Sequence, residues 1–254
     1  MFGFFKKKPL IKREDKEFQI ATFRWLMKNC DGEYFIKHTQ LICPSSEFFP
    51  ITITKKDTTI KDIFHQVQVL AGMEHWQCKL QKQEKDINPN IAPTLTVKNS
   101  PSNPLGTFDD SNTKNIIISY NPRLSTDPIN LVATFAHELA HYLTGGIEKE
   151  PPGGWDNWEF ATDIAATFLG FGIFQVNSAF NFKQFTDGET QGWESSRNGY
   201  LSQNEHIYAL AIFLLLKKIP SKEAKQYIKP HLKNTLDKAI NEIKDDDTII
   251  KILS

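Results

Sequence analysis

The stretch His137-Glu138-Leu139-Ala140-His141 is the most informative part of this chain, because it places two histidines four residues apart with a glutamate between them. On a helix, side chains four positions apart lie one turn above each other, so both imidazoles can bind one metal ion. Glu138 lies beside them, where it can accept a proton from a metal-activated water. These five residues predict a helical metal site with a general base. The alternative is a histidine pair that only forms hydrogen bonds.

The flanking residues predict a helix from about 128 to 144. Thr126-Asp127-Pro128 supplies a capping side chain and then a proline at the first helical position, and Gly145-Gly146 supplies a left-handed stop. Helical periodicity separates two faces of this segment. The apolar face carries Leu131, Phe135, Leu139, Tyr142 and Leu143, and the polar face carries Thr134, His137, Glu138 and His141. We expect the first face to pack and the second to line a cavity.

Two histidines leave a catalytic zinc one protein ligand short. After the Pro-Pro-Gly-Gly break at 151–154, an apolar pattern predicts a second helix from about 157 to 177, with Glu159 and Asp163 four residues apart on one face. Carboxylates in such apolar surroundings need charged partners. A metal and a metal-bound histidine would be such partners. The alternative is a capping or solvated pair at the start of the helix.

The pattern His137-Glu138-x-x-His141 followed by Glu159-x-x-x-Asp163 resembles the gluzincin group of zinc metallopeptidases. The resemblance covers only residues from about 130 to 165. It implies Zn²⁺ as the cofactor, Glu159 as the third ligand and Asp163 as the carboxylate that orients His137. The metzincin pattern does not fit, because no third histidine follows the motif at the required spacing.

The remaining sequence predicts an order of elements that suits the zincin fold. Periodicity predicts helices at 14–29 and 58–71, and alternation predicts a strand at 76–80. Two further segments, 105–109 and 115–120, are predicted to form a hairpin directly before the motif helix. In zincins a strand at this place edges the cleft and can pair with an extended peptide. Either segment of the hairpin is a candidate for that edge.

A glycine-flanked loop at 192–200 and the capping box Ser202-Gln203-Asn204-Glu205 precede another predicted helix. Peptide hydrolysis builds negative charge on a tetrahedral oxygen, so a nearby hydrogen-bond donor is expected. Arg197, Tyr200 and His206 are the candidates, and the sequence does not choose among them.

Composition indicates one compact domain over residues 1–254, with a mixed α/β part at 1–125 and a helical part at 126–254. The chain has 254 residues, 40% hydrophobic and 24% charged, which suffices for a sizeable core. Its formal net charge is zero, so the electrostatic footprint of a nucleic-acid binder is lacking. The final segment, 221–244, has the pattern of one or two amphipathic helices in a solvated outer layer.

The expected compartment is the cytoplasm. Residues 1–9 place aromatic residues before lysines, which is the reverse of a secretory signal, and the apolar run at 164–176 is too short for a transmembrane segment. Cys30, Cys43 and Cys78 are odd in number and form no C-x-x-C pair, so buried structural thiols in a reducing environment are expected.

These observations predict an α+β, zincin-like fold with a small mixed sheet, an active-site helix and a mainly helical C-terminal half. The expected function is zinc-dependent hydrolysis of a peptide or protein substrate, with His137, His141 and Glu159 on the metal and Glu138 as general base. One rival is a regulatory protein that keeps the metal site but acts by binding a partner. The other is a hydrolase that uses the same zinc chemistry on another amide or ester. The oligomeric state stays open.

Overall fold

The computed structural model describes residues 9–50, 60–83, 106–109, 116–186 and 201–246, apart from the side chains of Asp109 and of residues 180–186. These residues form a mixed α+β structure, mostly helical, with a three-stranded sheet. The helices are α1 (Arg13–Asn29), α2 (Gly32–His38), α3 (Ile60–Leu70), α4 (Pro128–Gly145), α5 (Trp158–Ala166), α6 (Gly172–Thr186), α7 (Gln203–Leu216), α8 (Ser221–Lys225) and α9 (Lys233–Lys244). The strands are β1 (Cys78–Lys82), β2 (Gly106–Asp109) and β3 (Ile116–Tyr120).

The sheet is mixed, with β3 in the centre. β1 pairs with β3 in parallel and β2 pairs with β3 antiparallel, with Gly106 opposite Tyr120. The predicted hairpin is therefore confirmed, and its first strand is the one at the edge, because β2 pairs with β3 alone among the described strands. The strand predicted at 76–80 begins two residues later, at Cys78. Its parallel pairing was not predicted.

Helix α4 confirms the predicted motif helix. The Asp127 side chain accepts a hydrogen bond from the Asn130 backbone N–H at 3.2 Å, and Pro128 occupies the first turn. The helix packs against the sheet, α3, α5 and α6, and it is buried from Asn130 through His141. The motif histidines are therefore held in the interior of the described structure.

The second predicted helix is not continuous. Helix α5 leads into a π-helical turn at Thr167–Phe171, and α6 begins at Gly172. Gly170 adopts φ = 102°, and a Cβ at this position would lie 2.3 Å from the Gln40 carbonyl oxygen. The Gly170 carbonyl also accepts a hydrogen bond from the Ile42 N–H at 3.0 Å. A long-range contact therefore breaks the helix at a glycine.

The other predicted helices are present where the structure describes them, and α2 is an additional helix that was not predicted. Both halves of the capping box at Ser202 are formed at the start of α7, and α8 and α9 form the amphipathic outer layer. Cys43 is buried, whereas Cys30 and Cys78 are half-buried, and burial raises the pKa of each thiol to about 11. In the described part of the chain, every helix is too short or too polar to cross a membrane.

Candidate metal centre

Three side chains converge at one point between α4 and α5. The Nε2 atoms of His137 and His141 are 3.0 Å apart. Glu159 Oε2 lies 3.2 Å from the Nε2 of His141 and 3.5 Å from that of His137. Ligand atoms around a tetrahedral zinc, with bonds of about 2.0–2.1 Å, are separated by roughly 3.3 Å. The triangle therefore has the spacing of three ligand atoms around one metal ion.

The three atoms of this triangle are better arranged to bind a cation than to form hydrogen bonds with one another. Glu159 Oε2 is buried and accepts no well-angled hydrogen bond from any described residue, although both imidazoles are near. Burial alone would raise the pKa of Glu159, but the charge of His141 and the contacts with both imidazoles hold it well below its ordinary value. A buried, ionised acceptor without a donor is costly unless a cation offsets it.

The outer nitrogens of both imidazoles have partners. His137 Nδ1 is 2.9 Å from Asp163 Oδ1, and His141 Nδ1 is 3.3 Å from Thr162 Oγ1. An Nδ1–H donated to Asp163 leaves the Nε2 lone pair of His137 directed at the centre. Burial lowers the pKa of His137, but Asp163 and Glu159 raise it by more, to well above its ordinary value. A proton and a cation therefore compete for this imidazole.

Asp163 is itself held in place by α7 and by the residue Leu201 just before it. Its Oδ2 accepts a hydrogen bond from the Leu201 backbone N–H at 2.8 Å and lies 3.7 Å from His206 Nε2. Burial lowers the pKa of His206, and the charge of Asp163 only partly opposes this effect. Sequence reasoning missed Leu201, because a backbone donor carries no signal in the sequence.

Glu138 lies near the three converging side chains, and the residue is almost fully buried, at 4% exposure. Burial raises the pKa of Glu138, and the charge of Glu159 raises it further. The charges of the two histidines lower the pKa, but the net change is an increase. Within the described residues, Oε2 has no hydrogen-bond partner. A raised pKa and an available acceptor atom are the properties that a general base requires.

Gly106 is a further site residue that the sequence analysis did not identify. A Cβ at this position would lie 2.5 Å from Glu138 Oε1 and 2.6 Å from Thr134 Cγ2. Only a glycine therefore lets the edge strand β2 approach Glu138 this closely. A glycine at the start of a short strand gives no sequence signal for such a contact, which depends on how the sheet packs on α4.

The structure brings together most of the predicted site residues. His137, His141 and Glu159 form the triangle, Asp163 supports His137, and Glu138 lies beside them. Asp163 faces both histidines with different oxygens: Oδ1 is close to His137 Nδ1, and Oδ2 is close to His206 Nε2. Two other predicted candidates, Arg197 and Tyr200, lie outside the described residues.

Aromatic rings surround the His141 side of the centre. The Phe108 ring stacks on His141 with centroids 6.2 Å apart, and Trp158 meets the same imidazole edge-on at 4.8 Å. The Glu159 side chain is 24% exposed, whereas those of His137 and His141 are 5% and 8% exposed. Among the three candidate ligands, Glu159 is therefore the one most open to solvent.

Comparisons with protein-family models, curated proteins and solved structures found no match to this chain. The interpretation of the centre consequently depends on its own geometry and on the residues that form it.

Proposed function

We propose that this chain is a zinc-dependent metallopeptidase with a zincin-like fold. His137, His141 and Glu159 hold the metal, Asp163 orients His137, and Glu138 is the general base. The observation that carries the proposal is the triangle of two Nε2 atoms and one carboxylate oxygen, with edges of 3.0 to 3.5 Å, beside a buried glutamate. A bound Zn²⁺ would supply a Lewis acid that polarises a carbonyl and lowers the pKa of a water.

The residues of the chain then have distinct tasks. Glu138 Oε2, which is buried and without a described partner, accepts a proton from the attacking water and returns it to the leaving amine nitrogen. Glu138 Oε1 packs against Gly106, which fixes the orientation of the carboxylate relative to β2. The substrate is a peptide or protein segment that lies along the outer edge of β2. Neither proton transfer, to Glu138 from the water or from Glu138 to the leaving amine, requires a covalent bond between the chain and the substrate.

The hydrogen-bond donor to the developing oxyanion is a separate question. The contact of His206 with Asp163 supports a role in positioning that carboxylate. Arg197 and Tyr200, outside the described residues, keep their status as candidate donors in this proposal.

The proposal is tested by incubating zinc-loaded protein with a denatured protein mixture and identifying new termini by mass spectrometry. We expect new termini that are absent with the Glu138→Gln variant and after chelation. Stoichiometric zinc without new termini would contradict peptidase activity and favour a binding protein. Zinc-dependent turnover of small esters or amides without new termini would favour a different hydrolase.

A further inference from the structure

The edge strand β2 lies along the metal centre with one face towards α4. Gly106 and Phe108 are two residues apart, so they share that face. Gly106 packs against Glu138, and the Phe108 ring stacks on His141. Along the strand, Gly106 therefore lies beside Glu138, the proposed general base, and Phe108 lies beside His141, a proposed metal ligand.

Beside Phe108 there is a shallow apolar notch, which we define by Gly145, Phe108 and Trp158. Gly145 is the exposed last residue of α4. A Cβ built on it would lie 3.8 Å from Trp158 Cζ2 and 3.9 Å from Phe108 Cε1, which is ordinary van der Waals contact. Carbon atoms therefore fit between the two rings without a clash.

The wall of the notch continues towards solvent. The Trp155 ring meets that of Trp158 edge-on at 6.0 Å, and Trp155 is 46% exposed. Exposed tryptophans beside a cleft commonly serve as binding contacts, because they offer a large apolar area at a small entropic cost.

The register of β2 identifies what would enter the notch. A peptide strand paired with the outer edge of β2 has one residue directly opposite Phe108, with its side chain on the same face and Cβ atoms about 4.5–5.5 Å apart. That side chain would lie over Gly145 and between the two rings. The residue opposite Gly106 faces Glu138, two positions away along the peptide.

We propose that the notch is a specificity subsite that takes an aromatic or large aliphatic side chain of the substrate. The preferred residue lies two positions from the residue that faces Glu138. The inference rests on the proposed function and names its substrate class: extended peptides with a bulky apolar residue at one fixed distance from the cleaved bond.

The first test compares cleavage of alanine-based octapeptides that carry a single Phe at each position in turn. We expect zinc-loaded wild-type protein to cleave one of them with a kcat/KM about tenfold above that of the all-alanine peptide. Gly145→Val fills the notch and should remove this advantage, lowering kcat/KM for that Phe peptide about tenfold, to the level of the all-alanine peptide. Gly146→Val is the matched control, because among the described residues its Cβ would meet only the Leu143 carbonyl, at 3.8 Å.

The second test measures binding without turnover. The same peptides are titrated into zinc-loaded Glu138→Gln protein, with intrinsic tryptophan fluorescence as the readout. The Phe peptide with the largest kcat/KM should bind tightest, and Gly145→Val should remove that preference.

The outcomes separate the two proposals. Selective binding that depends on Gly145, without any cleavage by wild type, would contradict the peptidase and keep the notch as a binding site. Cleavage without a positional preference for Phe, or equal losses for Phe and alanine peptides in Gly145→Val, would overturn the notch and leave the peptidase standing.

Discussion

Two sets of polar side chains are buried in this protein, and they differ in what they contact. The amides of Gln19, Gln175 and Asn177 donate hydrogen bonds to backbone carbonyls of Glu205, Ala133 and Tyr227 at 3.0, 2.9 and 2.9 Å. The ligating atoms of the candidate metal centre, on His137, His141 and Glu159, lie instead within 4.8 Å of one another. Buried amides that bind backbone connect elements of the fold, whereas converging histidines and carboxylates indicate a ligand from outside the chain.

The two sets should therefore contribute differently to stability. An amide bonded to a carbonyl contributes to the folded state in the absence of any ligand. Removing the titratable groups of the candidate centre from water costs free energy that their mutual contacts only partly offset. Substitutions in the first set should lower the free energy of unfolding, and substitutions in the centre should mainly change metal binding or catalysis.

The largest expected effect is the loss of zinc in Glu159→Ala. This variant removes one of the metal's own bonds, so stoichiometric zinc should fall from about one per chain to near zero. The measurement is elemental analysis after gel filtration, and Glu148→Ala, an exposed glutamate outside the centre, is the control. Full zinc content in Glu159→Ala would exclude Glu159 as a ligand.

Glu138→Gln should abolish most hydrolysis without changing zinc content or the melting temperature. The amide cannot accept the proton of the attacking water, so kcat should fall by roughly 10²–10⁴-fold. Initial rates on the best octapeptide, with zinc measured on the same samples, provide the comparison. Retained activity would place the general base at another residue.

Asp163→Asn should weaken zinc binding by roughly 10 to 100 fold and not remove it, because Asp163 orients His137 without contacting the metal. Competition with a chelator at fixed pH gives the affinity, since ligand protonation otherwise confounds the comparison. Asp156→Asn, an exposed change in the turn before α5, is the control. If Asp163→Asn loses the metal and Glu159→Ala keeps it, the assignment of the third ligand is wrong.

The smallest effect on the centre is expected for Gln175→Leu, in the set that binds backbone. It removes the side-chain hydrogen bond to the buried Ala133 carbonyl, which lies inside α4, and should lower the free energy of unfolding by about 0.5–1.5 kcal/mol. Denaturant unfolding of the metal-free protein measures this loss, and zinc affinity should stay within about twofold. A large loss of zinc affinity with unchanged stability would break the distinction between the two sets.

The sequence predicted the features that depend on local spacing. The start of α4 follows from a cap and a proline, and the histidines and carboxylates share faces because each pair is four residues apart. The predicted left-handed stop is wrong, because α4 includes Gly145 and its C-terminal cap, Gly146, has φ = −80°. Helix α2 was missed, because it has only seven residues and begins after Asp31, whose φ is 54°. Such short segments carry little periodicity.

The features that the sequence did not predict depend on long-range packing. Gly170 meets Gln40, Gly106 meets Glu138, and Asp163 accepts a hydrogen bond from the Leu201 backbone. Each contact joins segments far apart in the chain through backbone or an absent side chain. Periodicity and spacing contain no information about such pairs.

The most direct test of the central claim is anomalous scattering from crystals of the purified protein, recorded on both sides of the zinc absorption edge. The account predicts one zinc peak per chain, about 2.0–2.2 Å from His137 Nε2, His141 Nε2 and a carboxylate oxygen of Glu159. The absence of a peak from zinc-supplemented crystals, with the three side chains pointing apart by more than about 5 Å, would contradict it.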